Sequence, residues 1–124
     1  MSEEPKELKK EVEYYLRQAE YYLEEALKQK DLRQMAEKAH TSATMASDAL
    51  ILSKGMKRPV SLLERKRSLE KISPELRDQY MKFRDELHRD CFQDGFCRPD
   101  ITKKHTNELE SYIKSIKSHL GVQK

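Results

Sequence analysis

The sequence predicts an all-α protein, an up-and-down bundle of four long helices and one short one. Apolar residues recur at alternating spacings of three and four along most of the chain, which is the seam of a bundle helix. Only three glycines and four prolines occur in 124 residues, so helix breakers are confined to a few junctions. No segment alternates apolar and polar side chains as a half-buried strand would. The chain is 38% charged and 36% hydrophobic, a balance that suits long solvated faces around a narrow core. Its length fits a single domain over 1–124, with an ordered bundle from 6 to 120 and frayed ends at 1–4 and 121–124.

The first helix is expected from about Glu4 to Gln29, with Pro5 at its start. Leu8, Val12, Tyr15, Ala19, Tyr22 and Ala26 form its seam, and Leu16, Leu23 and Leu27 widen the stripe. Glu13-Tyr14-Tyr15-Leu16 recurs as Glu20-Tyr21-Tyr22-Leu23, so one side is rich in tyrosine. Tyr14 and Tyr21 lie off the seam, where their hydroxyls can reach solvent or a partner. Asp31 then reads as an N-cap, with Gln34 closing a capping box. The second helix carries Leu32, Met35, Ala36, Ala39, Ala43, Ala46, Ala49 and Leu50. Such small residues let a neighbour approach closely, and the short Gln29-Lys30-Asp31 turn makes helices 1 and 2 an antiparallel hairpin. His40, flanked by Thr41, Ser42 and Thr44, is expected at the edge of the core, and Gly55 just past the helix end.

Ser61 and Glu64 form a second capping box, opening a short helix through about Lys71. Ser73-Pro74-Glu75 supplies an N-cap, a proline at the first helical position and an acid in the first turn. The fourth helix follows as one continuous α-helix, with Leu76, Tyr80, Phe83, Leu87 and Cys91 at bundle spacing. Asp94-Gly95 ends it and Arg98-Pro99-Asp100 restarts the chain. The fifth helix presents Leu109, Tyr112, Ile113, Ile116 and Leu120, and stops at Gly121.

Net charge is only +3, but it is unevenly spread. Residues 2–31 carry nine acids against six bases, whereas 54–71 carry seven bases against two acids. Lys54, Lys57, Arg58, Arg65 and Arg67 from that basic segment, with Arg89, are candidate nucleic-acid contacts. The plain alternative is a solvated loop and helix face. No apolar run approaches the roughly 18 residues of a membrane span, and the acidic N-terminus does not read as a signal peptide. No membrane partner is expected, and a cytoplasmic location is. There is no glycine-rich phosphate loop and no Gly-x-Ser-x-Gly, so no nucleotide cofactor or serine-hydrolase chemistry is expected.

The stretch Phe83-Arg84-Asp85-Glu86-Leu87-His88-Arg89-Asp90-Cys91-Phe92 carries the chemistry. Arg84 and His88 lie four residues apart, about 40° around an α-helix, so both can reach one phosphate. Arginine grips phosphate oxygens with a planar fork, and histidine moves a proton near neutral pH. Asp85 can orient either group. In RNA cleavage without a metal, histidine takes the 2′-hydroxyl proton while arginine stabilises the phosphoryl charge. The competing account is a helix surface on which Arg84, Asp85, His88 and Arg89 form ordinary ion pairs. His88, Cys91, Cys97 and His105 also invite a zinc reading, but their spacing matches no zinc-finger pattern and no metal is expected. Cys91 and Cys97 can close a disulfide across the Asp94-Gly95 turn, while a reducing cytosol favours the thiols.

The paired long helices, the Gln29–Asp31 turn, the alanine-rich second helix and the block Leu87-His88-Arg89-Asp90-Cys91-Phe92-Gln93-Asp94-Gly95 together resemble the small archaeal PaREP-type helical proteins. Those belong with the HEPN (higher eukaryotes and prokaryotes nucleotide-binding) domains. The resemblance spans roughly Lys6 to Leu120. It implies a HEPN-like bundle that forms homodimers, and a metal-independent ribonuclease of toxin–antitoxin or defence type acting on RNA. An antitoxin or a nucleotidyltransferase-type protein is the implied partner. The family hallmark is an arginine, often followed by a polar residue, then a histidine after four to six positions. Arg84-Asp85 matches its first part and His88 its last, with three residues between them. The resemblance therefore places Arg84, Asp85 and His88 in a cleft near a two-fold interface. Many members lack the full motif and act without catalysis, so a protein- or nucleotide-binding module of the same fold is the alternative.

Overall fold

A computed structural model describes residues 6–120; the expectations for Pro5, Gly121 and the frayed ends lie outside the described residues. The elements are α1 (Lys6–Lys28), α2 (Leu32–Ser53), α3 (Leu62–Ile72), α4 (Pro74–Phe83), a π-helix (Arg84–Gln93) that continues α4, and α5 (Pro99–Leu120). No strand occurs among the described residues. None of the described helices is long and apolar enough to cross a membrane.

The caps explain where most of these helices begin. Asp31 accepts a hydrogen bond from the Arg33 amide at 2.9 Å, so the cap forms one residue earlier than a Gln34 capping box requires. The second box does form: Ser61 Oγ accepts from the Glu64 amide at 3.1 Å, and Glu64 accepts in turn from the Val60 amide at 3.1 Å. Ser73 ends α3 and starts α4, its hydroxyl accepting from the Leu76 amide at 3.2 Å. Gly55, with φ +82°, turns the chain just past α2, where a side chain would be strained.

Side-chain pairings fix the helix directions. Ser42 Oγ donates to the Ala19 carbonyl across the α1–α2 hairpin, and the α2 methyls at 36, 39, 43 and 46 are fully buried beneath it. Tyr80 meets Thr44 while His88 meets Glu37, so α4 and the π-helix run antiparallel to α2. Ser47 meets Tyr112 and Lys54 meets His119, so α5 runs parallel to α2 and antiparallel to α4, where Phe83 packs edge-on against Tyr112 and His105. The result is up, down, up, down, with α3 as a short brace. The core is built from Ala19, Ala26, Leu50, Ile51, Leu69, Leu76, Tyr80, Phe83, Leu87, Leu109, Tyr112 and Ile116.

Two features depart from expectation, and a third was not foreseen. Leu27 does not widen the buried stripe of α1: it is 56% exposed beside a groove between α1 and α5. The fourth helix is not α throughout, since Arg84–Gln93 is wound with the wider π turn. Asp48, in the C-terminal third of α2, is completely buried. Arg65 grips it with two bonds, 2.7 Å and 3.1 Å long, and Arg58 adds a third at 2.9 Å. Arg58 also lies over the Tyr15 ring, 4.7 Å from its centre. Two arginines of the basic segment thus lock the α2–α3 connection onto the bundle.

Candidate functional site

Glu37, His40 and Thr44 are spaced three and four apart on α2, so they form one stripe. Tyr80, Arg84, His88 and Phe92 recur every four residues on α4 and its π continuation. The antiparallel packing lays parts of one stripe on the other. Thr44 and Tyr80 share a hydroxyl–hydroxyl bond of 2.9 Å, and the Tyr80 hydroxyl lies a long 3.4 Å from His40 Nε2. His40 and His88 stack with ring centres 4.5 Å apart and planes 22° apart. Phe92 covers the other side of His88 at 5.9 Å. Glu37 Oε1 takes a hydrogen bond from His88 Nδ1 at 2.9 Å. The pillar Phe92–His88–His40 is thus fastened at one edge by a carboxylate from α2.

Two devices support the π-helix that delivers His88. Arg33, at the start of α2, donates from its guanidinium to the Phe92 carbonyl, which the helix end leaves without an intrahelical partner. Cys91 and Cys97 are joined as a disulfide, tying the buried face of the π-helix to the loop before α5. The wide turn persists to the end, where the Asp94 amide donates to the Arg89 carbonyl five residues back at 3.0 Å.

Electrostatics set the protonation state of His40. Burial, reinforced by the charges of His88, Arg65 and Arg84, lowers His40 from 6.5 to about 3. His40 is therefore a neutral imidazole at physiological pH. Burial also pushes the Tyr80 phenol up, keeping it a proton donor or acceptor rather than an anion. Arg84 is 27% exposed and sits 3.2 Å from Asp85, which also reaches Arg89 at 3.6 Å.

The structure thus gathers Arg84, Asp85 and His88 on one segment and adds Glu37 and His40 from α2, with Tyr80 and Thr44 behind. The basic residues are divided. Arg58 and Arg65 hold Asp48, Lys54 donates to the His119 carbonyl at 3.2 Å, and Arg89 pairs with Asp85 and Asp90. Lys57 and Arg67 are exposed. The set His88, Cys91, Cys97 and His105 does not assemble: the cysteines bond each other, and His105 is buried between Glu86 and Glu108. A different donor set does come together, because donor atoms of Glu37, His40 and His88 all lie within 4.8 Å of one another.

The sequence did not single out Glu37, and it read Tyr80 only as part of the core seam. Their only signal was spacing: Glu37 and Thr44 flank His40 on the same stripe, and Tyr80 precedes Arg84 by one turn. Comparisons with family profiles, characterised proteins and solved structures found no match for this chain.

Proposed function

We propose that the chain binds RNA on the face shared by α2 and the π-helix and cleaves it there as a metal-independent ribonuclease of HEPN-like type, with a second copy completing the cleft. The observation that carries this reading is the Glu37–His88 pair, four residues from Arg84. A histidine that donates Nδ1–H to a carboxylate is held in the tautomer whose Nε2 carries the lone pair. His88 Nε2 has no hydrogen-bond partner among the described residues. It takes the 2′-hydroxyl proton as O2′ bonds to phosphorus. The P–O5′ bond then breaks, the departing 5′-oxygen takes a proton from water, and His88 returns its own proton to the hydroxide left behind. The products are a 2′,3′-cyclic phosphate and a 5′-hydroxyl. Arg84 supplies positive charge to the phosphoryl oxygens as the transition state forms, and Asp85 steers its guanidinium.

The test is cleavage of diverse RNAs with chelator present and product ends identified. His88→Ala is expected to lower the rate by about 10²–10⁴-fold, and Arg84→Ala by about 10²–10³-fold. Glu37→Gln should lower the rate while leaving RNA affinity unchanged. The second reading is a non-catalytic binding module, favoured by His88 being only 24% exposed against its own α2. Absent cleavage by the unaltered chain, with RNA or nucleotide binding retained, would select it.

A further inference from the structure

Glu37 and His40 share one face of α2, and His88 reaches them from the π-helix, so three donor atoms converge from two elements. Two imidazoles and one carboxylate are the donor set of open zinc centres and of other first-row transition ions. His105 makes the contrast. Glu108 and Glu86 sit on its opposite ring nitrogens, so no single point faces all three groups. At the first cluster one donor atom from each residue lies within 4.8 Å of the other two.

We propose that Glu37, His40 and His88 form a binding site for one divalent transition-metal ion of the zinc type. A tetrahedral ion with bonds of about 2.0–2.1 Å needs donor atoms roughly 3.4 Å apart. The donors now lie within 4.8 Å of one another, and the His88 ring must turn from its stack on His40 before both imidazoles can face one ion. Glu37 and His88 have room for this, being 31% and 24% exposed. His40 is set by its contacts with Tyr80 and fixes one corner. Three protein donors leave a fourth position to water. Resting on the reading above, one consequence follows for activity: an ion that takes Glu37 removes the carboxylate orienting His88, so loading should suppress metal-free cleavage.

The site itself is tested without RNA. The full chain, oxidised at Cys91–Cys97 and freed of metal and chelator, is titrated with Co²⁺ and followed by its ligand-field absorption. One saturating equivalent is expected, with affinity weakened at least about tenfold in Glu37→Gln and in His88→Gln. The unaltered chain gives a second readout that needs no variant. Of its four histidines, the ring signals of His40 and His88 should shift on adding Zn²⁺, while those of His105 and His119 stay in place. No saturable uptake, or uptake that moves His105 or His119 instead, would overturn the site. Uptake without any RNA cleavage in chelator sinks the ribonuclease reading alone. Cleavage in chelator without uptake sinks the metal site alone.

Discussion

His40 has lost water on most sides and faces basic side chains from two other elements. Arg65 comes from α3, Arg84 and His88 from the α4 π continuation, with Tyr80 above and Glu37 on its own helix. Its proton is therefore held far more weakly in the folded chain, near 3, than in the unfolded chain, near 6.5. The unfolded chain then takes up the proton first as pH falls, so the stability associated with a neutral His40 is complete above 6.5 and drains away toward 3. Between about pH 7.5 and pH 5 the loss should be about 2 kcal/mol. Urea unfolding with chelator present should show that slope, and His40→Asn should flatten it; an equal slope in both proteins would refute the assignment. The sequence put His40 at a core edge, which is where it lies. It could not show which side chains would face the ring, because they come from segments 25 to 50 residues away.

At the scale of elements, the π turn of Arg84–Gln93 has to be explained by tertiary ties, since the segment contains no proline or glycine to break an α-helix. Phe83, Leu87 and Cys91 are all buried and follow one another at steps of four. Two such steps in succession overshoot an α-helical face, while a wider turn holds them on one side. The doubled step was the one sequence hint, where a regular seam would have alternated four with three. The caps at Asp31, Ser61 and Ser73 were legible because a cap is a local bond; the π turn was not, because distant groups hold it. Arg33→Ala should cost about 1 kcal/mol, since a partly solvated bond to the Phe92 carbonyl is lost. Hydrogen exchange should then quicken in Arg84–Gln93 and not in α1. Reducing the Cys91–Cys97 bond, which closes a short loop at a separation of 6, should cost about 2 kcal/mol. Unchanged exchange in the Arg33 variant would leave the π turn to the disulfide and core packing.

For the whole molecule, α2 is the helix against which the others pack, and its alanine stripe made that legible in advance. What composition concealed was Asp48, which sits between the buried methyls of Ala46 and Ala49 and draws Arg58 and Arg65 inward. A count of charges treats those arginines as surface, whereas one charged residue on an apolar stripe is the signal that a cation must come to it. Arg65 is only 12% exposed, so removing its partner strands a guanidinium that water barely reaches. Asp48→Ala should therefore destabilise the fold by about 3–5 kcal/mol, far beyond a surface ion pair. Replacing both partners, Asp48→Leu with Arg65→Met, should recover most of that loss, because an apolar pair of similar volume carries no desolvation penalty. Arg58, 44% exposed, can turn back to solvent in either protein. If the double variant is no more stable than the single one in urea, the clamp acts through its geometry at the α2–α3 connection. Recovery would instead mean that Asp48 needs Arg65 chiefly because it is buried, and that α3 could be held there by apolar contact.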